Sequence, residues 1–302
     1  MAEHGDDVDW AGLFHAEGAA SDTPRRLRAL LGDDAEAFVD GYEHLWSGTL
    51  RREGGVWPVT APAALLVAEW LGDSSLWPDD PTMPEAVLAY LYAVAVGADL
   101  GDREAEVRAR VTRCEPELRR WNADYLTADA TGRELLWGDC SGLGELVLQQ
   151  AALACGEVVP ELLGRVLPHL EADRVRRRTC AAAAVGVLAR HPSAAAQRPS
   201  LLRRLVSLAG AADSPFDLAT TVVAVGQLGG DTRSWLEHPH LGVRVCAALA
   251  PALAHDSAAE GVLRAAGRSL NEVGKSLGES FGDMAPPLQF QFLPYRDLLV
   301  DT

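Results

Sequence analysis

The sequence predicts an all-α fold, an α-solenoid of stacked antiparallel helix pairs with an irregular C-terminal cap. Three observations predict it. Prolines recur where helices should begin, strand signals are nearly absent before the last thirty residues, and one helical segment repeats in the C-terminal half. The chain has 302 residues and is 48% hydrophobic but only 6% aromatic, so alanine, leucine and valine must fill the core. Small side chains of that kind let helices approach closely.

The helix starts are read from Pro24, Pro62, Pro84, Pro116, Pro160, Pro199 and Pro215, several of them behind a capping residue, as in "SDTPRRLRALL", "TAPAALL" and "DSPFDLATTVV". The stretches that follow run about three turns. The segment "REGGVWPVTAPAALLVAEWL" (52–71) shows the pattern best. Gly54 and Gly55 permit a tight reversal, Thr60 is placed to cap a helix start, and 61–71 is apolar on nearly every side except Glu69. A helix of that kind must be buried between neighbours, with Val56, Trp57 and Val59 packed beneath it. The longest apolar run, "AVLAYLYAVAVGA" (86–98), has 13 residues, short of a membrane span, and reads as another buried helix.

The repeat is carried by "RTCAAAAVGVLARH" from Arg178 and "RVCAALAPALAHD" from Arg244, which share R-x-C-A-A and lie 66 residues apart, two units of 33. Between them "TTVVAVGQLGGD" places Leu228 between Leu188 and Leu253 at uneven spacings of 40 and 25. Stacking of such units is nearest-neighbour packing, and about six to eight helical pairs are expected.

These residues resemble HEAT-repeat proteins, in particular HEAT-like proteins common in actinobacteria. The likeness rests on Trp10, His15, Asp22-Thr23-Pro24 and Thr60-Ala61-Pro62-Ala63, over about residues 10–71, with general HEAT character from 160 to 256. A His-Gln-Gly turn frequent in such relatives is replaced here by Arg52-Glu53-Gly54. The resemblance implies a flexible acidic N-terminus (1–9), N-terminal repeats (10–100), divergent middle repeats (101–159), C-terminal repeats (160–270) and a capping tail (271–302). In that tail Leu288, Phe290 and Phe292 alternate as in an extended segment.

Charge and cysteine usage bound the function. A net charge of −16 argues against general affinity for DNA or anionic membranes, so nucleic acid is a weak third option and no membrane partner is expected. Five cysteines without a CxxC pair suit reduced thiols in the cytoplasm, and "MAEHGDDVDW" lacks the apolar core of a signal peptide.

The catalytic signatures of HEAT enzymes find little footing. None of the eight histidines is followed by glutamate, as an iron-dependent hydroxylase of this class requires. His238 and His240 flank a proline in "LEHPHLG" and read as a surface turn, so neither metal nor cofactor is expected. "WGDCSGLGE" (137–145) has the spacing of a nucleophile elbow but no strand before it, and reads first as a helix–helix turn capped by Asp139 or Ser141. If the chain is an enzyme, Asp139, Cys140 and Glu145 are its candidate catalytic residues, beside Trp137. Residues 161–208 hold nine arginines against three acids, whereas residues 1–40 hold ten acids and three arginines. Arg174, Arg176, Arg177 and Arg178 are therefore candidates, with Trp137, for binding an anionic ligand or acidic segment, although Arg178 and Arg244 also suit hydrogen bonding to turn carbonyls.

The expected function is a scaffold that grips a protein partner on its concave inner-helix face, in a regulatory, immunity-like or accessory role. The alternative is a cyclase, lyase or isomerase of specialised metabolism that holds an anionic or apolar small molecule in the solenoid hollow.

Overall fold

A computed structural model describes residues 7–51, 55–73, 75–77 and 82–267. The capping tail (271–302), most of the acidic N-terminus (1–9) and the Arg52-Glu53-Gly54 turn lie outside the described residues. Within them the protein is all-helical, with thirteen α-helices and one short hairpin. The hairpin pairs β1 (Phe14–His15) antiparallel with β2 (Gly18–Ala19) and turns through Gly18 at φ 124°, a conformation that favours glycine.

The chain divides into two compact units, Met1–Asp79 with Val94–Leu162, and Asp80–Ala93 with Leu163–Thr302. In the first, the hairpin is followed by α1 (Thr23–Arg28), α2 (Ala35–Glu43) and α3 (Thr60–Trp70). Later come α5 (Glu104–Arg113), α6 (Glu115–Thr127), α7 (Ala130–Gly138) and most of α8 (Leu143–Val166). Helix α4 (Met83–Gly97) contributes its first eleven residues to the second unit. That unit continues with α9 (Val175–Leu188), α10 (Arg198–Gly210), α11 (Pro215–Gln227), α12 (Leu241–Ala248) and α13 (Ser257–Gly267).

The apolar segments behave as their composition requires. Ala61, Ala63, Ala64, Leu66, Val67 and Ala68 of α3 are all buried, and Val87 to Val94 of α4 are at most 2% exposed. Pro24, Pro62, Pro84, Pro116, Pro199 and Pro215 fall within the first three residues of their helices. Pro160 does not. It lies inside the 24-residue α8, where Val159, Leu162 and Leu163 are buried around it. Burial of that apolar stripe outweighs the hydrogen bond a proline cannot make, so no helix begins there. With the turn that follows it, α8 is long and apolar enough to cross a bilayer, and 56% of its most apolar stretch is buried in the protein. Glu157, Glu161 and Pro160 interrupt its apolar pattern, so it escapes a search for uninterrupted runs.

Thr60 also differs from expectation. It does not cap α3; its hydroxyl accepts from Trp57 N–H (2.8 Å) and donates to the Thr49 carbonyl, while Leu50 and Val56 form an isolated bridge. Thr60 thus ties the two arms of the preceding loop together.

In the second unit α9, α11 and α12 lie side by side, with the 3₁₀ turn Leu167–Glu171 against α9, α10 against α11 and α13 against α12. This packing is consistent with a helical repeat. The paired arginines make the correspondence concrete. Arg178 Nη1 donates to the carbonyls of Ala172 (2.7 Å) and Asp173 (2.9 Å), six and five residues back. Arg244 Nη1 donates to His238 (2.8 Å) and Pro239 (2.9 Å) at the same offsets. The uneven sequence spacing also has a cause: a whole helix, α10, intervenes between α9 and α11, but only a 3₁₀ turn, Arg233–Trp235, between α11 and α12.

All five cysteines are free. Cys155, Cys180 and Cys246 are buried, Cys114 is half-buried and Cys140 is exposed. Burial pushes each of the three buried thiols up to about 12.

Helices α9 and α11 meet at Gly186, where an added Cβ would lie 2.8 Å from Ala224 Cα and 2.7 Å from Gln227 Oε1. Alanine would normally stabilise a helix interior over glycine by up to about 1 kcal/mol. Here the backbone of Ala224 cannot retreat, so Gly186→Ala is expected to lower stability by roughly 1–3 kcal/mol in a denaturant melt.

Candidate functional site

The most concentrated chemistry in the first unit surrounds Arg26, and the hairpin and first two helices assemble it. His15 ends β1, Asp22 precedes α1, and Thr23 and Arg26 lie on α1. Asp40 lies on α2, and His44 opens the turn that continues α2. That turn, His44–Gly48, is π-helical, with Thr49 N–H bonded to the His44 carbonyl at 2.9 Å. Such widened turns commonly aim a side chain where a regular helix would not. Gly48 makes room for the ring: a Cβ there would lie 2.3 Å from His44 Nδ1.

His15 and His44 are 2% and 3% exposed, with their rings edge to face at 4.9 Å. The Glu17 backbone N–H donates to His15 Nδ1 (3.1 Å), which leaves the proton of the neutral ring on Nε2, 3.3 Å from Asp22 Oδ1. His44 has the same tautomer for a parallel reason. Arg26 Nη1 can only donate, and it does so to Nδ1 (3.0 Å), so Nε2–H donates to Thr23 Oγ1 (2.9 Å). Arg26 also grips Asp40 through Nε (2.9 Å) and Nη2 (2.6 Å), and approaches Glu17 (3.3 Å) and Asp22 (3.6 Å) through Nη1.

The electrostatics follow from these contacts. Burial, then the proximity of His15 and Arg26, depresses His44 to about 4, so it is neutral at pH 7. The hydrogen bond to Asp40 holds Arg26 above its ordinary value, against its burial. Burial alone would raise the Asp22 carboxyl, but the hydrogen bond from His15 and the neighbouring positive charges hold it below the ordinary value. Asp22 does not cap α1 with its side chain. Its carboxylate is engaged by His15 instead.

His15, Asp22 and His44 offer ligand atoms within 4.8 Å of one another, the spacing of a metal triad. The donor chemistry does not fit one. A neutral histidine binding metal through Nε2 carries its proton on Nδ1, but His15 Nδ1 faces the Glu17 N–H. Arg26 moreover places a guanidinium beside His44 and Asp22, where a cation would sit. This is a closed hydrogen-bond network with an arginine as its cation.

The residues proposed from sequence lie elsewhere. Trp137 is half-buried in an aromatic cluster of the first unit, with ring centroids 5.9 Å from Trp57, 5.0 Å from Trp121 and 5.9 Å from Tyr125, and Phe14 completes the group. Glu145 is exposed in the first turn of α8, and Asp139 and Cys140 are exposed on the turn between α7 and α8. There Ser141 Oγ accepts from Leu143 N–H (3.2 Å), and Gly142 adopts φ 70°. In the second unit Arg174 Nε donates to the buried Glu85 (2.9 Å), and Arg176 Nε lies 3.3 Å from the other oxygen of that carboxylate. Arg177 is half-buried, and Arg178 braces its turn. His238 Nδ1 accepts from His240 N–H (3.1 Å), which fixes the turn before α12.

Sequence reasoning named His15 and Asp22 only as parts of a motif and passed over Arg26, Asp40 and His44. The π turn that brings His44 to Arg26 has no sequence signature.

No family model, curated protein or solved structure matches the chain.

Two measurements test these networks. The folded-state value of His44 lies below its ordinary 6.5, so its contribution is complete above about pH 6.5 and is lost as pH falls toward 4. At full strength this is about 3 kcal/mol. His44→Gln, which does not titrate, is expected to flatten the slope of stability against pH over that window. In the second unit, Arg174→Gln with Arg176→Gln leaves Glu85 buried and uncompensated. The expected loss is about 1–3 kcal/mol, below that of a fully enclosed pair because both arginines are part-exposed. In a Glu85→Gln background the same changes should cost much less in a thermodynamic cycle.

Proposed function

We propose that this chain is a non-enzymatic scaffold, a HEAT-like α-solenoid that holds a protein partner on the faces of its stacked helices. A regulatory, immunity-like or accessory role in the cytoplasm suits it. The strongest support is that the buried histidines and the buried carboxylate among the described residues are committed to the chain itself. Both ring nitrogens of His15 and of His44 have internal partners, and Glu85 is matched to Arg174 and Arg176. Groups so engaged hold helices in place and are not poised to exchange protons with a substrate. The matched braces of Arg178 and Arg244 support the repeat reading. Neither the exposed turn at Asp139 and Cys140 nor Glu145 at the start of α8 supplies a hydrogen-bonded base for the thiol among the described residues, which weighs against pocket chemistry.

The test is site-specific photo-cross-linking of the full chain at native expression, with the probe at exposed positions of each helix in turn. A scaffold should yield one adduct confined to adjacent positions, whose partner rebinds when purified at a stoichiometric ratio. Adducts scattered evenly over all faces, or turnover of a small molecule by the purified chain, would overturn the reading.

A further inference from the structure

Helix α2 and the π turn that continues it pair a partly exposed aromatic row with an acidic edge. Phe38 and Tyr42 lie one turn apart on α2, and Trp46, on the π turn that continues it, extends the row. Successive ring centroids are 6.4 Å apart, and the Phe38 and Tyr42 planes lie within 13° of parallel. Phe38, Tyr42 and Trp46 are each partly exposed, and Val39 beside them is 55% exposed, one of few large apolar side chains among the described residues so open to solvent. Helical spacing puts Glu36, Asp40 and Glu43 along the flank of this row. Asp40 is held by Arg26, whereas Glu36 and Glu43 have no ion-pair partner among the described residues. The approach to the helix adds Asp33 and Asp34, both exposed.

We infer that this face of α2 docks a cationic amphipathic segment of a partner protein, one that presents aliphatic side chains beside lysines or arginines. Flat aromatic faces accept alkyl chains and, through their π electrons, cations. The adjoining carboxylates supply counter-charges for the same basic groups. A net charge of −16 steers such a segment toward the protein and repels anionic surfaces and nucleic acid. The apolar row distinguishes this surface from a solvated acidic helix, which needs no exposed valine beside aromatic rings. The inference rests on the scaffold reading and adds the place and the chemistry of the partner.

The probe is a labelled amphipathic Lys/Leu peptide titrated with the full chain and followed by fluorescence anisotropy. A Lys/Ser peptide of equal charge and a Glu/Leu peptide serve as comparators. The Lys/Leu peptide should saturate at one per chain and bind about tenfold or more tighter than either comparator. Val39→Ser, at an exposed site that leaves the fold intact, should weaken it severalfold, and adding Tyr42→Ser should weaken it further. Glu36→Gln with Glu43→Gln should weaken it and reduce its salt dependence. Glu106→Gln with Glu117→Gln, exposed on α5 and α6, should change neither. Equal binding of Lys/Leu and Lys/Ser, or indifference to the α2 changes, would overturn the inference. If photo-cross-linking then placed one reconstituted partner on another helix, the scaffold reading would stand and this one would fall.

Discussion

Close approach of backbones is the constraint on which the rest of this structure depends. At Gly186 against Ala224, Gly226 against Ala250, and Gly41 against the carbonyl of Arg26, there is no room for one more carbon atom. A chain this poor in aromatics and rich in alanine cannot fill wide gaps between helices, so it closes them. Dispersion contacts then come from backbone and Cβ atoms, and tolerance for added volume is low at each crossing. The residues at such crossings are small by necessity.

Tight helix contacts leave little solvent around the polar groups that fall between elements, which explains why the buried polar groups occur as linked sets. Arg26 joins α1 to α2 and to the hairpin by answering three carboxylates and one imidazole. Arg174 and Arg176 answer Glu85 across the second unit, and Thr179 donates to Asp217 (2.7 Å) from α9 to α11. Each set joins separate elements, so its members serve register as much as stability.

Much of the architecture was legible because it follows from local chemistry. Proline placed helix starts, and the all-round apolarity of 61–71 and 86–98 placed α3 and α4 in the core. The shared R-x-C-A-A located two helices whose arginines do the same work. Where local chemistry competed with burial, the sequence misled. Pro160 reads as a helix start but is overridden by the apolar residues on either side of it. Thr60 reads as a cap, yet it has nearer partners that only the folded chain supplies. The Arg26 network was not legible at all, since its members are scattered from 15 to 44 and depend on a π turn. The arginine-rich stretch was visible as composition, but which acid it faces, Glu85, some ninety residues away in sequence, was not.

The distribution of thiols has a practical consequence. Cys155 lies in the first unit, while Cys180 and Cys246 lie in the second, and each is shut away in its protonated form. A thiol in that state reacts with an alkylating reagent only when its surroundings open. Cys140, on the surface, supplies the unhindered rate in the same sample. The protein therefore carries its own set of clocks, one for the opening of each unit, and mass spectrometry of the labelled peptides can read them separately without any engineered probe.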